Sequence, residues 1–259
     1  MGRLFFFAAM LSATSCMAQV TGTWNHKECA VVLTYDDGID ADLDRVAPAL
    51  DSLGLKATFY VIGSSSSVAG RLAEWRLLAQ HGHELGNHTL FHPCEGGRPG
   101  RDWVQGDNDL RRYTVKRAVD EIRVNNVLLQ AIDGKTSRTF AYPCGDMTIG
   151  DTVFYDRLRK DFVAARGVTP VMQTIDKIDL DNIGCYSISG QTAEQMIALV
   201  KEAMNKHALL VFLFHGVGGG HSINEDAGAH STLLHFLKDH ENDIWIAPMV
   251  DIAKYIAKH

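Results

Sequence analysis

The sequence lacks the short signatures that mark many metal and redox proteins. Its five cysteines form no CxxC pair, which argues against a zinc ribbon and a thioredoxin-like dithiol. The zincin pattern HExxH is missing, because His83-Glu84 is followed at position 87 by Asn. No Gly-Lys-Ser/Thr follows Gly218-Gly219-Gly220, so that run is read as flexibility rather than a phosphate cradle. There is no excess of basic charge. A net charge of −6 argues against a phosphate-backbone binder and hence against a nucleic-acid partner. No repeat recurs at a fixed period, and none of the 259 residues reads as a linker. One α/β domain is the simplest organisation at this length.

The apolar run Leu4–Leu11 is too short to span a bilayer. Arg3 precedes it and Ser12, Ala13, Thr14 and Ser15 follow, the order of a signal peptide. Cleavage after Ala18 would leave residues 19–259 as the functional domain. Ala13-Thr14-Ser15-Cys16 also loosely resembles a lipoprotein box, with cleavage before Cys16. A membrane partner is expected only in that case. Both readings imply export to the periplasm, the medium or the cell surface. An exported chain can oxidise Cys29, Cys94, Cys144 and Cys185. Four cysteines allow three full pairings, sequence selects none, and buried free thiols fit equally well.

Short apolar runs alternate with helical patterns. Strands are expected at Ala30–Tyr35, Ala57–Ile62, Arg138–Tyr142, Phe162–Ala165, Ile183–Ile188, Leu209–Phe214 and Ile244–Ile246, with a short one leading into Asn87. Helices are expected at Leu43–Leu53, Ala69–Gln80, Arg111–Ala131, Asp151–Arg159, Thr192–Lys206, Ser231–Lys238 and Val250–Ala257. Thr192 with Gln195 three residues on fits a capping box. Near-continuous apolar strands alternating with helices imply a parallel sheet covered by helices. In barrels of that kind the site lies just beyond the strand C-termini. Asp36, Asp37, Asn87, Tyr142, Arg166 and His215 all fall there.

Asp36-Asp37 places two carboxylates side by side, and a cation or a shared proton relieves their repulsion. Alone, the pair is better explained as a polar turn with an Asp cap on the next helix. His88 and His92 are four apart, a spacing that puts two imidazoles on one face of a helical turn. With Asp37 they offer two nitrogens and an oxygen, leaving positions open for water or substrate. His81 and His83 read as structural, or one of them as a hydrogen-bond partner behind a ligand. His215 ends the most apolar strand and can act as a general acid.

Thr34-Tyr35-Asp36-Asp37-Gly38 resembles the first motif of the polysaccharide deacetylase family, carbohydrate esterase family 4. Gly82-His83-Glu84-Leu85-Gly86-Asn87-His88-Thr89-Leu90-Phe91-His92 resembles its second motif, and Leu213-Phe214-His215 its last. The motifs keep the family's order and span most of the chain from about residue 30 onward. The resemblance implies a distorted (β/α) barrel with fewer than eight full units. It implies one divalent cation, most often Zn2+, with Co2+, Ni2+ or Mn2+ as substitutes, held by Asp37, His88 and His92. Asp36 would be the base and His215 the acid. A backbone N–H near Cys144, beside Tyr142, would meet the oxyanion, and Leu213 would wall the acetyl pocket. The partner would be an acetylated carbohydrate: an O-acetylated xylan type, or an N-acetylated chitin type or peptidoglycan.

Two departures stand out. The third family motif starts with an Arg that orients the base, and here Ala141-Tyr142-Pro143-Cys144-Gly145 carries Ala instead. Arg166 is the candidate replacement, with a surface arginine as the plain alternative. The supporting Asp-Trp motif is not recognisable, leaving Asp176, Asp179 and Asp181 as unranked candidates. These gaps keep open a weak or inactive carbohydrate-binding protein on the same scaffold. A third reading is hydrolysis of another bond, such as a small amide or a phosphate ester, though Leu213 beside His215 favours acetyl over phosphate. Trp103, in the Gly-rich segment 93–109, either stacks on a sugar ring or plugs the side of the domain.

Overall fold

Eight parallel strands build one curled sheet. The structure is a computed structural model that describes Met1 and residues 23–259. The signal-peptide and Cys16 readings lie outside the described residues. The strands are β1 (Cys29–Asp37), β2 (Thr58–Val61), β3 (Glu84–Asn87), β4 (Phe140–Ala141), β5 (Ala165–Arg166), β6 (Tyr186–Ser187), β7 (Leu209–Phe214) and β8 (Ile244–Ile246). They lie in the order β5-β4-β3-β2-β1-β7-β6, and β8 pairs with the first residues of β1. An isolated bridge between Arg166 and Ile183 links β5 to the chain entering β6. The result is the expected (β/α) barrel, irregular and short of eight full units.

Strand periodicity decides what the barrel contains. Successive side chains point to opposite faces. In β1, Cys29, Val31, Leu33 and Tyr35 pack with the surrounding helices, while Ala30 and Val32 pack inside with Leu209, Val211 and Leu213 of β7. The inner register of β1 therefore runs on through Thr34 to Asp36. That of β7 runs through Leu213 toward His215. Two apolar strands thus deliver a carboxylate and an imidazole to the same end of the same interior.

The helices form the outer layer: α1 (Ala47–Ser52), α2 (Leu72–Gln80), α3 (Val115–Asp133), α4 (Ala193–Lys206), α5 (Ala227–Asp239) and α6 (Met249–Ile256). The capping box on α4 forms, with Thr192 accepting from the Gln195 N–H and Gln195 accepting in return. Such a cap stabilises by about 1 kcal/mol.

Several boundaries differ from the sequence expectation. The segment Asp151–Arg159 is not a helix. Thr148–Ile149 and Thr152–Val153 pair as a tight hairpin, followed by a 3-10 turn at Phe154–Arg157. Gly150, at φ 56°, makes the turn that periodicity could not register. The strand expected at Phe162–Ala165 is only β5, because Phe162 belongs to a side cluster with Phe140 and Tyr155. The Ile183–Ile188 strand shrinks to β6. Leu43–Leu53 opens with a π-helical turn at Asp42–Val46. Ala69–Gln80 breaks at Arg71, and Arg111–Ala131 splits into a 3-10 turn at Leu110–Arg112 and α3.

Candidate active site

Asp36, Asp37, His88, His92, Trp103, Tyr142, Cys144, Leu213 and His215 line one cleft of about 690 Å³ at the C-terminal end of the barrel. Arg166 lies beneath its floor, fully buried.

The histidine pair arrives by a route that spacing alone does not describe. Residues 88–92 form a loop, not a helical turn. Thr89 and His92 both adopt left-handed backbone, at φ 66° and 53°. Non-glycine residues rarely hold that conformation without support. Here Asn87 supplies it: its Oδ1 accepts from the Thr89 N–H at 2.7 Å and from Asn125 Nδ2 at 3.0 Å. Its own amide donates to the Ile122 carbonyl and to Asn126 Oδ1. Thr89 Oγ1 then accepts from the His92 N–H at 2.8 Å. The sequence placed Asn87 on the catalytic face without a role; its role is to hold this loop against α3.

His88 Nδ1 donates to the Ala141 carbonyl at 2.9 Å. That fixes the tautomer and leaves the Nε2 lone pair free. His88 Nε2 and His92 Nε2 lie 3.6 and 3.8 Å from Asp37 Oδ1. These three atoms are all within 4.8 Å of one another. Asp37 Oδ1 is buried and has no hydrogen-bond partner. Two imine nitrogens around an orphaned carboxylate oxygen fit a divalent cation of the zinc class. Burial, and then the charge of Asp36, push the Asp37 carboxyl up to about 7, with Arg166 opposing. A cation would reverse that shift. Burial also lowers His88 to about 4 and His92 to about 3, keeping both rings neutral and able to ligate.

Arg166 Nη2 donates to Asp36 Oδ2 at 2.5 Å. Burial works against ionisation of Asp36, but Arg166, His88 and His215 outweigh it and hold the carboxyl below its ordinary value. Arg166 is neither on the surface nor beyond the strand; it is the second residue of β5. Its register partner in β4 is Ala141, the position where the resemblance calls for Arg. Register partners share a face, so the guanidinium comes from the next strand. It lies over the Tyr60 ring, 5.0 Å from the centroid. Gly86 makes room for that ring: a Cβ there would meet Tyr60 Cδ1 at 2.5 Å.

Burial lowers the His215 ring to about 4, against the pull of Asp36. Its Nδ1 is buried without a partner. None of the three candidate aspartates supplies one. Asp181 pairs with Arg159, Asp179 accepts from the Asp181 N–H, and Asp176 is exposed. His81 and His83 both contact Asp51, away from the cleft, as structural residues would. Trp103 does not plug the domain. It is 61% exposed at the rim, its ring 6.4 Å from that of His92.

Cys94 and Cys144 form a disulfide, whereas Cys29 and Cys185 are buried free thiols. The bond ties the chain just after His92 to the Cys144 turn. Arg101 Nη2 holds the Cys144 carbonyl at 2.9 Å. The Tyr142 N–H is spent on the Arg166 carbonyl, so of the two residues only Cys144 is left to offer a backbone N–H.

A family model described as polysaccharide deacetylase matches residues 24–160, just over half of the chain. Among curated relatives, a gellan lyase from a Bacillus species is 24% identical over 92% of this chain. The chain spans only 10% of that enzyme's length, and 35% and 24% of the next two relatives. A Mycobacterium smegmatis structure described as a candidate polysaccharide deacetylase matches with a TM-score of 0.63 at 14% identity, over 90% of this chain and 91% of its own. A family 4 acetyl xylan esterase from Clostridium thermocellum, solved with cobalt, matches with a TM-score of 0.52 at 22% identity, over 87% and 90%. At such identities these structures establish the fold.

Proposed function

We propose, from the premise that this chain belongs to the polysaccharide deacetylase family, that it hydrolyses acetyl groups on a carbohydrate with one divalent cation held by Asp37, His88 and His92. The observation that carries this reading is the convergence, in one cleft, of the Asp37–His88–His92 cluster, Asp36 and His215, with Arg166 paired to Asp36 from beneath.

When bound, the cation supplies Lewis acidity, polarising the acetyl carbonyl and making water acidic near neutral pH. Asp36 takes the proton of the attacking water on Oδ1, which has no partner, while Oδ2 stays with Arg166. The Cys144 N–H faces the developing oxyanion. Leu213 walls the methyl group. His215 protonates the departing sugar oxygen or nitrogen. Burial leaves the ring neutral at rest, so the proton it hands to the leaving group is the one Asp36 drew from the attacking water, and Asp36 is returned to its ionised state. Of the two gaps that motivated an inactive carbohydrate binder, Arg166 beside Asp36 speaks against the first, while the Asp-Trp support stays unrecognised and His215 Nδ1 has no partner. Neither Lys nor Arg lines the cleft among the described residues, which favours an uncharged glycan over a polyanionic one.

The test is acetate release from acetylated xylan, chitooligosaccharides and peptidoglycan. At least one is expected to yield acetate, with loss under chelator and recovery on adding Zn2+. Silence on all three by protein that retains its cation overturns the proposal. Trp103→Ala is expected to raise KM for an oligosaccharide by roughly two- to tenfold, the worth of one stacking contact. The kcat, and hydrolysis of a small aryl acetate, should stay unchanged.

Export as a secreted or cell-surface protein is part of the same proposal, supported by the charge–apolar–small order of residues 3–18. Among the described residues no helix is long and apolar enough to cross a membrane.

A further inference from the structure

We infer that His221 is a positioning residue for Asp37: its Nε2–H holds Asp37 Oδ2, keeping Oδ1 turned toward His88 and His92. This rests on the reading of Asp37, His88 and His92 as the cation's ligands.

His221 stands on a built loop. Gly216–Val217 pairs with Asn224–Glu225, and Gly218, Gly219 and Gly220 carry the chain round with φ of 64°, 118° and 91°. Asn224 Oδ1 accepts from the Gly219 N–H at 2.6 Å. Arg45 Nη1 donates to the carbonyls of Val217 and Gly218. The loop is therefore fastened both to itself and to the helical turn after β1.

The hydrogen bonds of the ring set its role. His221 Nδ1 meets both polar atoms of the Ile223 backbone: it accepts from the N–H at 3.0 Å, and the carbonyl lies farther off at 3.3 Å. The Ile223 N–H is a fixed donor and the closer neighbour, so in the neutral ring it takes the Nδ1 lone pair and the ring's one proton sits on Nε2. A protonated Nε2 donates; it does not ligate. It faces Asp37 Oδ2 at 3.7 Å, while Oδ1 faces the two ligand histidines. The two oxygens of Asp37 thus face different imidazoles. A formed N–H···O bond measures about 2.9 Å. A small turn of the carboxylate closes the difference, and no hydrogen bond fixes Oδ1 against it.

A second contact fixes the ring plane. His221 stacks on His215, with centroids 4.8 Å apart and planes 16° apart. His215 has lost the family's Asp-Trp support, and this ring lies against it instead. One side chain therefore braces both a ligand and the acid. Carboxylates that bind metals are commonly hydrogen-bonded in turn, and removing such a partner costs about 10- to 100-fold in metal affinity.

The test titrates Zn2+ alone, and Co2+ alone, into the metal-free full chain. His221→Ala should weaken both by about 10- to 100-fold. His221→Phe keeps the stacked ring without the N–H and should stay as weak. His221→Gln restores a donor and should recover most of the affinity. The visible bands of the cobalt form should keep their positions in all variants. Recovery by Phe, unchanged affinity in Ala, or displaced cobalt bands in Ala each overturns the inference, the last by making His221 a direct ligand. Failure of the unsubstituted protein to bind either ion sinks the ligand assignment as well. Wild-type binding with an indifferent His221→Ala sinks only this inference.

Discussion

Asp36→Asn is expected to cut acetate release by about 10²- to 10⁴-fold, the usual contribution of one general base. The side chain keeps its shape, and its carbonyl still accepts from Arg166. What it loses is a basic oxygen at Oδ1, which faces no protein partner. Cation binding should persist, because Asp37, His88 and His92 are untouched. Isothermal titration with Zn2+ beside an acetate assay separates the two effects. Equal loss of binding and turnover would place Asp36 among the ligands instead. The substitution should also lower the thermal midpoint. It leaves the fully buried Arg166 without its counter-charge, and breaking a buried pair costs about 3–5 kcal/mol.

Arg166→Met should reduce turnover through the protonation state of Asp36. Burial is the largest influence on that carboxyl and raises its pKa, and Arg166 leads the forces that lower it. Without the guanidinium the pKa climbs, and less of the base is ionised at neutral pH. The acid limb of kcat/KM against pH is expected to move to higher pH, with activity partly recovered by raising the pH. A variant that was merely misfolded would lose activity at every pH. The sign for stability follows from linkage. In the unsubstituted protein the folded pKa is lowered. Asp36 then contributes stability above its unfolded pKa, and this is lost as pH falls through the folded value. In the variant the folded pKa is raised. The contribution is then present below the unfolded pKa and is lost as pH rises through the folded value. The gap in thermal midpoint between the two metal-free proteins should therefore widen from acid to neutral pH. A constant gap would show that Arg166 acts by packing alone.

The two longest inner strands were readable from the chain because their runs are apolar on both faces. β1 and β7 match the expected segments to within two residues at each end, and their ends place Asp36 and His215. The 88–92 spacing was readable as a pair but not as a shape. A side chain fixes the backbone here, since Asn87 supplies the bond that makes two left-handed residues tolerable. Arg166 could be suspected from its place beyond an apolar run. Its pairing with Ala141 could not, because two-residue strands have no periodicity from which to read a register. His221 left one mark, a glycine run six residues or fewer from His215, which signals a bend but not where an imidazole points. The Cys94–Cys144 bond left none; only the fold brings together residues 50 apart.

The register of Ala141 with Arg166 bears on how such a site could change hands over time. A chain carrying arginine on both strands would force two cations into one closed space. A chain carrying neither would strand a buried acid. Each alternative carries an electrostatic penalty, which ties the residue tolerated on one strand to the residue on the other. Matched letter by letter to the resembling motif, the chain has Ala141 where an arginine is called for. Matched by charge around Asp36, an arginine is there, reached from the neighbouring strand.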